Sequence, residues 1–229
     1  MSKWQIFADF YQRSELLSND DLERYLATAE ILESDPKSGI KVAKLADGNM
    51  LKFFRVKRWY SSARFFSYAR SFCRNAKRLL ALNVPTVRVR QLCHCENSLR
   101  TAVLYAPLPG VTFMQLLKSG ELTEAHVRAL GQFIAHLHDL GIYFRGLHLG
   151  NIVLMPEGQL GLIDISEMTI SPVRLSQQRR LRNFERFWRR NEDQQAFGEQ
   201  YIETFTQSYV AACQKIQVPA DEIGRALRS

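Results

Sequence analysis

The pattern of apolar and polar residues predicts strands in the first half of the chain and helices in the second. Residues 1 to 27 place Ile6, Phe7, Phe10 and Tyr11 on one helical face, which predicts a helical start that continues beyond a capping signal at 18–20. Short apolar or alternating runs then predict five antiparallel strands, at 29–34, 40–45, 50–56, 87–93 and 99–105. A basic amphipathic helix or helix pair is predicted between the third and fourth strands, at 61–83.

From residue 112 onward, apolar residues recur mostly at helical spacing. The best-defined helix covers 123–140 and is followed by Gly141, a residue that favours helix ends. Further helices are predicted at 112–117, 179–190, 196–212 and 220–227, and the one at 179–190 is strongly basic.

A single segment, 143–168, interrupts the helices with the pattern of a β-hairpin. Two apolar strands, 152–155 and 160–165, flank the turn sequence Pro156-Glu157-Gly158. Such a hairpin would bring Asn151, just before the first strand, beside Asp164, near the end of the second. Their side-chain oxygens suit a hard cation such as Mg²⁺. A surface hairpin with one solvated Asn and one solvated Asp is the alternative interpretation.

The formal net charge of +8 is unevenly distributed. Residues 41–90 contain thirteen Lys or Arg and a single acid, Asp47. Such a surface attracts polyanions: a nucleotide, a phosphorylated lipid, an anionic membrane or nucleic acid. We also expect some of these basic residues to lie on a solvent-exposed helix face without a binding role.

The four Cys residues show no C-x-x-C spacing, and the N-terminal sequence lacks the apolar core of a signal peptide. No apolar run approaches the ~20 residues of a membrane span. We therefore expect reduced thiols, a cytoplasmic location and at most peripheral membrane contact. We interpret Cys93-His94-Cys95 as strand-end residues rather than metal ligands, and His126, His136 and His138 as packed or capping side chains.

Residues 145–151, RGLHLGN, follow the spacing of the protein-kinase catalytic loop H-R-D-L-x-x-x-N. Residues 164–166, DIS, lie where the kinase D-F-G motif is expected. The chain therefore resembles the kinase-like superfamily. It departs from the family pattern at Gly146, which stands at the position of the catalytic Asp, and at Phe144, which stands at that of the His.

Within that superfamily, the chain is most similar to the small bacterial kinases of lipopolysaccharide core sugars, the Kdo/heptose kinases and toluene-tolerance proteins. The shared pieces are GNMLKFFR (48–55), NVPT (83–86), LHLGNI (147–152), LID (162–164) and RNFERF (182–187). The resemblance implies an α+β, bilobal protein-kinase-like fold. We accordingly expect an N-terminal helical extension over 1–28, a β-sheet lobe with one helix over 29–106 and a helical lobe over 107–229.

The resemblance also implies roles for individual residues. Lys52, inside an apolar strand, would contact nucleotide phosphates, with Lys41 and Lys44 as rival candidates. The other implied roles are Mg²⁺ binding by Asn151 and Asp164, adenine binding by backbone groups at Tyr105 and Ala106, and catalytic-loop roles for His148 and Arg145.

Three elements of the kinase pattern are missing. Gly146 has no side chain to act as a base, and the candidate substitutes are His148, Asp139 and Glu167. The segment 61–84 contains no acid to hold the strand Lys, and the first loop contributes only Gly39 to a glycine-rich loop.

Three functions are compatible with these features. The first is an ATP- and Mg²⁺-dependent kinase of an inner-core lipopolysaccharide sugar at the inner face of the inner membrane, whose basic helices face an acidic glycolipid. The second is a pseudokinase that binds a nucleotide, a partner kinase or another protein and transfers little phosphate. The third, nucleic-acid binding, is supported only by charge and is disfavoured.

Overall fold

The computed structural model describes residues 13–37, 39–55, 68–188, 190–213 and 216–228. Its contacts divide the chain into two compact units, Met1–Leu108 and Pro109–Ser229, whereas the sequence analysis places this boundary between residues 106 and 107. The described part of the first unit is organised around a β-sheet, and that of the second is mainly helical. The predicted α+β fold class is therefore confirmed.

The N-terminal unit contains a six-stranded sheet with the strand order β1-β5-β6-β4-β3-β2. Neighbouring strands are antiparallel except β1 and β5, which are parallel. Its strands and helices are β1 (Glu15–Leu17), α1 (Asn19–Leu26), β2 (Glu30–Asp35), β3 (Gly39–Lys44), β4 (Met50–Arg55), α2 (Tyr68–Ala81), β5 (Arg88–Cys95) and β6 (Arg100–Ala106).

The prediction of helix over residues 1 to 27 is wrong for β1 and correct for α1. Glu15 pairs with Cys93 and Leu17 with Cys95, so this short segment extends the sheet. Burial of Leu17 in the core of the unit stabilises that pairing, which local sequence does not reveal. Helix α1 begins after Ser18, whose hydroxyl accepts a hydrogen bond from the Asp21 amide at 3.1 Å. Residues 1–12 lie outside the described ranges.

The other predicted strands of this unit are all present with small shifts at their ends. The predicted helix at 61–83 corresponds to α2, although 61–67 lie outside the described residues, as does the last residue of the strand at 50–56.

One face of the sheet forms an apolar cluster that includes both Cys93 and Cys95, while His94 between them is exposed. Burial raises the pKa of the Cys93 thiol to about 11, so this thiol is protonated at neutral pH. The two cysteines are core residues, in agreement with their interpretation as strand residues.

In its described part, the C-terminal unit combines five α-helices with two small sheets, one of three strands and one of two. Its elements are β7 (Val111–Thr112), α3 (Phe113–Ser119), α4 (Glu124–Asp139), β8 (Ile142–Phe144), β9 (Ile152–Leu154), β10 (Leu160–Leu162), β11 (Met168–Ile170), α5 (Gln177–Phe184), α6 (Asn191–Ala212) and α7 (Ala220–Arg228). Helices α4 and α6 approach closely at Gly131, where a Cβ would lie 2.7 Å from the Phe205 carbonyl oxygen and clash with Ser208 Oγ.

The predicted helix at 179–190 is wrong in its second half. Helix α5 ends at Phe184, and the chain turns so that Phe187 is buried and Trp188 Nε1 donates to the Leu227 carbonyl at 2.5 Å. Helix α6 then starts at Asn191, earlier than predicted, and contains a non-helical residue at Gly198.

None of the helices in the described ranges combines the length and apolar character needed to cross a bilayer.

Candidate active site

The candidate site of the C-terminal unit is built on the β9–β10 hairpin. Leu162 pairs with Ile152, and the Ile163 amide donates to the Asn151 carbonyl at 3.0 Å, which continues the register by one residue. Asn151 and Asp164 consequently lie at the open end of the same hairpin, on adjacent chain segments. The predicted juxtaposition is present, and the role of these residues as metal ligands stays a prediction.

The side chain of Asn151 is oriented by the loop that precedes it. It is 9% exposed, and its Nδ2 donates to the Gly146 carbonyl at 2.9 Å. This bond uses the amide nitrogen, so Oδ1 is the atom that can accept from a cation or another donor. Asp164 is exposed and has left-handed backbone angles, φ 51° and ψ 47°, which Asp adopts more readily than most residues. Two oxygen ligands of this kind fit Mg²⁺.

Gly146 lies in a confined space. A Cβ at this position would be 3.0 Å from the Phe144 ring and 3.2 Å from Asn151 Nδ2. The position that carries the catalytic Asp in kinases is thus closed in by the neighbouring ring and amide.

His148, predicted to be catalytic, is held within the loop. Its Nδ1 accepts a hydrogen bond from the Gly150 amide at 3.1 Å. Because Nδ1 uses its lone pair in this way, the proton of the neutral ring resides on Nε2. In this arrangement His148 is suited to donate a hydrogen bond to an oxyanion rather than to remove a proton.

Arg145 and the two candidate substitutes for the base differ in their surroundings. Arg145 is exposed, its amide donates to the Glu167 carbonyl at 3.0 Å, and its Nε is 3.9 Å from the Glu167 carboxylate. Asp139 instead forms an ion pair with the fully buried Arg180 at 2.5 Å. Asp139 therefore has a structural partner, whereas Glu167 is beside the catalytic loop.

A buried polar network fixes the chain just before that loop. Asn183 of α5 donates to the Phe144 carbonyl at 2.6 Å and accepts from the Phe144 amide at 3.3 Å. The same Oδ1 is 3.3 Å from His138 Nε2, and His138 Nδ1 is 2.8 Å from the Tyr209 hydroxyl. Burial lowers the pKa of His138 to about 3, so this imidazole is neutral.

Arg180 extends the network to the end of α4. Besides the ion pair with Asp139, its Nε donates to the Leu175 carbonyl at 3.0 Å. A buried charge is tolerated only when paired and hydrogen-bonded in this way. Neither Arg180 nor Asn183 was predicted from the sequence to have a functional role. A signal was present, because 180, 183, 184 and 187 have the spacing of one helical face, and the two polar residues share it with two phenylalanines.

In the N-terminal unit, Lys52 lies on β4 among aromatic rings. Its Nζ is 5.6 Å from the ring centroid of Phe54 and 5.8 Å from that of Phe72, which is 1% exposed on α2. Aromatic faces attract a cation within about 6 Å. The helix that carries an acid in kinases thus contributes a ring to the surroundings of this ammonium group.

The rival lysines have acidic partners on the neighbouring strand. Lys41 Nζ is 3.0 Å from Glu33 and 3.9 Å from Asp35, and Lys44 Nζ is 3.9 Å from Glu30. These contacts join β3 to β2.

The residues predicted to contact adenine lie at the end of β6. Tyr105 pairs with Met50 of β4 and Val89 of β5, and its ring packs 5.3 Å from that of Phe72. Ala106 is the last residue of the strand and pairs with Arg88. Their contact with a nucleotide stays a prediction.

Two comparisons with known proteins indicate a family. Residues 108–209 match the lipopolysaccharide kinase (Kdo/WaaP) family. A 3-deoxy-D-manno-octulosonic acid kinase of Xylella fastidiosa (strain M12) is 29% identical over 90 residues, which cover 38% of this chain and 36% of that relative. The aligned part is therefore well under half of either protein. The segment that contains the hairpin with Asn151 and Asp164 is therefore similar to the lipopolysaccharide kinase (Kdo/WaaP) family.

Proposed function

We propose that this protein is an ATP-dependent kinase that phosphorylates a sugar of the lipopolysaccharide inner core. The observation that carries this proposal is the β9–β10 hairpin, which presents Asn151 and Asp164 together within the segment that matches the family. The activity named for the Xylella relative supports a sugar acid of the 3-deoxy-D-manno-octulosonic type as the acceptor.

The C-terminal unit supplies the ligands for the metal in this proposal. Asn151 Oδ1 and the Asp164 carboxylate would hold Mg²⁺, which neutralises charge on the phosphates of ATP. The bond from Asn151 Nδ2 to the Gly146 carbonyl keeps the amide oxygen in a fixed orientation. His148 would donate from Nε2 to a phosphate oxygen, and Arg145 would add positive charge beside it.

The N-terminal unit supplies the cation that the resemblance assigns to the nucleotide phosphates. Lys52 is suited to this role because β4 fixes its backbone and the rings of Phe54 and Phe72 flank its ammonium group. Tyr105 and Ala106 would contact adenine through backbone groups.

Catalysis without an Asp at position 146 is compatible with the chemistry of phosphoryl transfer. The transition state is loose, so most of the rate enhancement comes from positioning and charge neutralisation rather than from proton removal. Glu167 is the best-placed candidate for a replacement base, because its carboxylate lies beside the loop of residues 145–151. Its ionic contact is with an exposed residue, Arg145.

The proposed place of action is the inner face of the inner membrane, where an acidic glycolipid acceptor would be reached. The positive charge concentrated in residues 41–90 supports contact with an anionic surface.

Transfer of labelled phosphate from ATP to the sugar acid tests the proposal. We expect Asp164→Ala to lower kcat by about 10²- to 10³-fold, because a ligand of the charge-neutralising metal is lost. Binding of Mn²⁺ by the nucleotide-loaded protein, followed by electron paramagnetic resonance, should weaken in parallel.

The matched control is Asp221→Ala, which removes an exposed carboxylate of α7 that pairs with Arg225. Its activity should equal that of the wild type. Full activity in Asp164→Ala would refute the metal assignment. ATP binding by the wild type without transfer would instead indicate the pseudokinase alternative.

A further inference from the structure

A cavity of about 310 Å³ lies wholly within the C-terminal unit, next to the catalytic loop. Its lining residues come from three places in the fold: Met114 and Lys118 on α3, Gly150 in the loop, and Arg190 and Asp193 at the start of α6. This volume is at the small end of the range for ligand sites, about 300–1,000 Å³, and suits a single sugar residue.

The cavity is adjacent to the residues predicted to act in phosphate transfer. Gly150 lies between Leu149 and Asn151, and its amide is held by His148. A Cβ on Gly150 would be 4.0 Å from the Met114 Cβ, so α3 packs directly against the loop at this point. A molecule in the cavity would consequently be next to the segment that carries the candidate metal ligand Asn151.

The charges on the cavity wall define the chemistry of its ligand. Two cations, Lys118 and Arg190, and one acid, Asp193, line the cavity. Three other exposed arginines of this unit form ion pairs: Arg128 with Glu124, Arg225 with Asp221 and Arg228 with Glu199. Across the described ranges no ion pair involves Lys118 or Arg190.

A guanidinium and an ammonium group that line the same cavity suit a carboxylate, which accepts paired hydrogen bonds from Arg. The carboxylate of Asp193 can accept hydrogen bonds from sugar hydroxyls. A ligand that combines both features is a sugar acid, since its carboxyl group is ionised at neutral pH.

We propose that this cavity is the acceptor subsite and that Lys118 and Arg190 select a sugar bearing a carboxylate. The inference rests on the proposed kinase function and adds to it the group by which the acceptor is recognised. The Met114 side chain contributes an apolar part of the wall, and Gly150 contributes main-chain atoms.

The test uses the full chain and two probes, the methyl glycoside of 3-deoxy-D-manno-octulosonic acid and the corresponding carboxamide, which lacks the charge. Lys118→Met and Arg190→Met should each raise the KM for the acid roughly 10- to 100-fold, the loss typical of a hydrogen bond to a charged group. The KM for ATP should not change. The wild type should prefer the acid over the amide, and the double variant should not.

Arg174→Met is the matched control, since it removes an exposed cation of the same unit that does not line the cavity. Variants of Lys118 and Arg190 that behave like this control would overturn the proposal. A rise in the KM for ATP alone would also overturn it, because the cations would then bind nucleotide phosphates.

Calorimetric titration of both probes without ATP separates this inference from the proposed function. Binding of the acid by the wild type but not by the double variant would support the subsite even if no phosphate were transferred. Absence of binding to the wild type would overturn the subsite, whether or not the protein proves to be a kinase on another acceptor.

Discussion

Lys52 and the loop of residues 145–151 are both held in place, but by different kinds of contact. In the N-terminal unit the Lys52 ammonium group lies over the rings of Phe54 and Phe72. In the C-terminal unit the chain entering the loop is fixed at Phe144 by two hydrogen bonds with Asn183, one donated and one accepted by the Asn183 amide. Aromatic support is non-directional and tolerant of substitution, whereas a buried polar network is directional and leaves orphaned groups when one member is lost.

The largest expected difference between the two regions is in stability. Asn183→Leu leaves the Phe144 amide and carbonyl without their partner in a dry environment, so we expect a loss of about 3–5 kcal/mol in the free energy of unfolding. Denaturant titration measures this loss. Gln178→Leu, at an exposed position of the same helix, should change stability by less than about 0.5 kcal/mol. Equal effects of the two substitutions would mean that the network does not support the loop.

The second prediction concerns pH and the buried His138. Its pKa is about 3 in the folded protein against an ordinary value of 6.5, so between these values the unfolded chain binds a proton that the folded chain does not. The free energy of unfolding should therefore be highest above pH 6.5 and fall by up to about 1.4 kcal/mol per pH unit below it.

His138→Gln should remove this dependence, as measured by denaturant titrations between pH 4.5 and about 7.5. His136→Gln, on the exposed side of the same helix, should retain it. Identical pH slopes for the wild type and His138→Gln would contradict the assignment.

The smallest effect is expected at Lys52. Phe72→Leu removes one ring beside the ammonium group and should raise the KM for ATP about two- to fivefold, in line with a cation–π contribution of about 0.5–1 kcal/mol. Phe53→Leu is the control, because Phe53 lies on the same strand but packs in the cluster on the other face. If Phe53→Leu raised the KM for ATP more than Phe72→Leu does, the Phe72 ring would not be what supports Lys52 in phosphate binding.

Features encoded by neighbouring residues were predictable from the sequence. The hairpin follows from the turn at Pro156-Glu157-Gly158 and from the apolar runs on both sides of it. This is why Asn151 and Asp164 could be placed together. Helix α4 was predictable because its apolar residues are periodic and its capping residues, Thr123 and His126, are local.

Features that depend on distant contacts were not predictable. Strand β1 is defined by its pairing with β5, almost eighty residues later in the chain, and its three residues match a helical pattern equally well. The early end of α5 depends on Trp188 reaching α7. The absence of an acid on α2 was visible in the sequence, but the approach of the Phe72 ring to Lys52 is a tertiary contact.

The tight space around Gly146 bears on how a carboxylate could be returned to this loop by engineering. A side chain at this position presses on the Phe144 ring and on the amide that orients Asn151. Reintroducing the acid alone would therefore disturb a candidate metal ligand while adding a base. Conversion of this loop to the ordinary kinase arrangement therefore requires at least two substitutions: an Asp at position 146 and a smaller side chain at position 144.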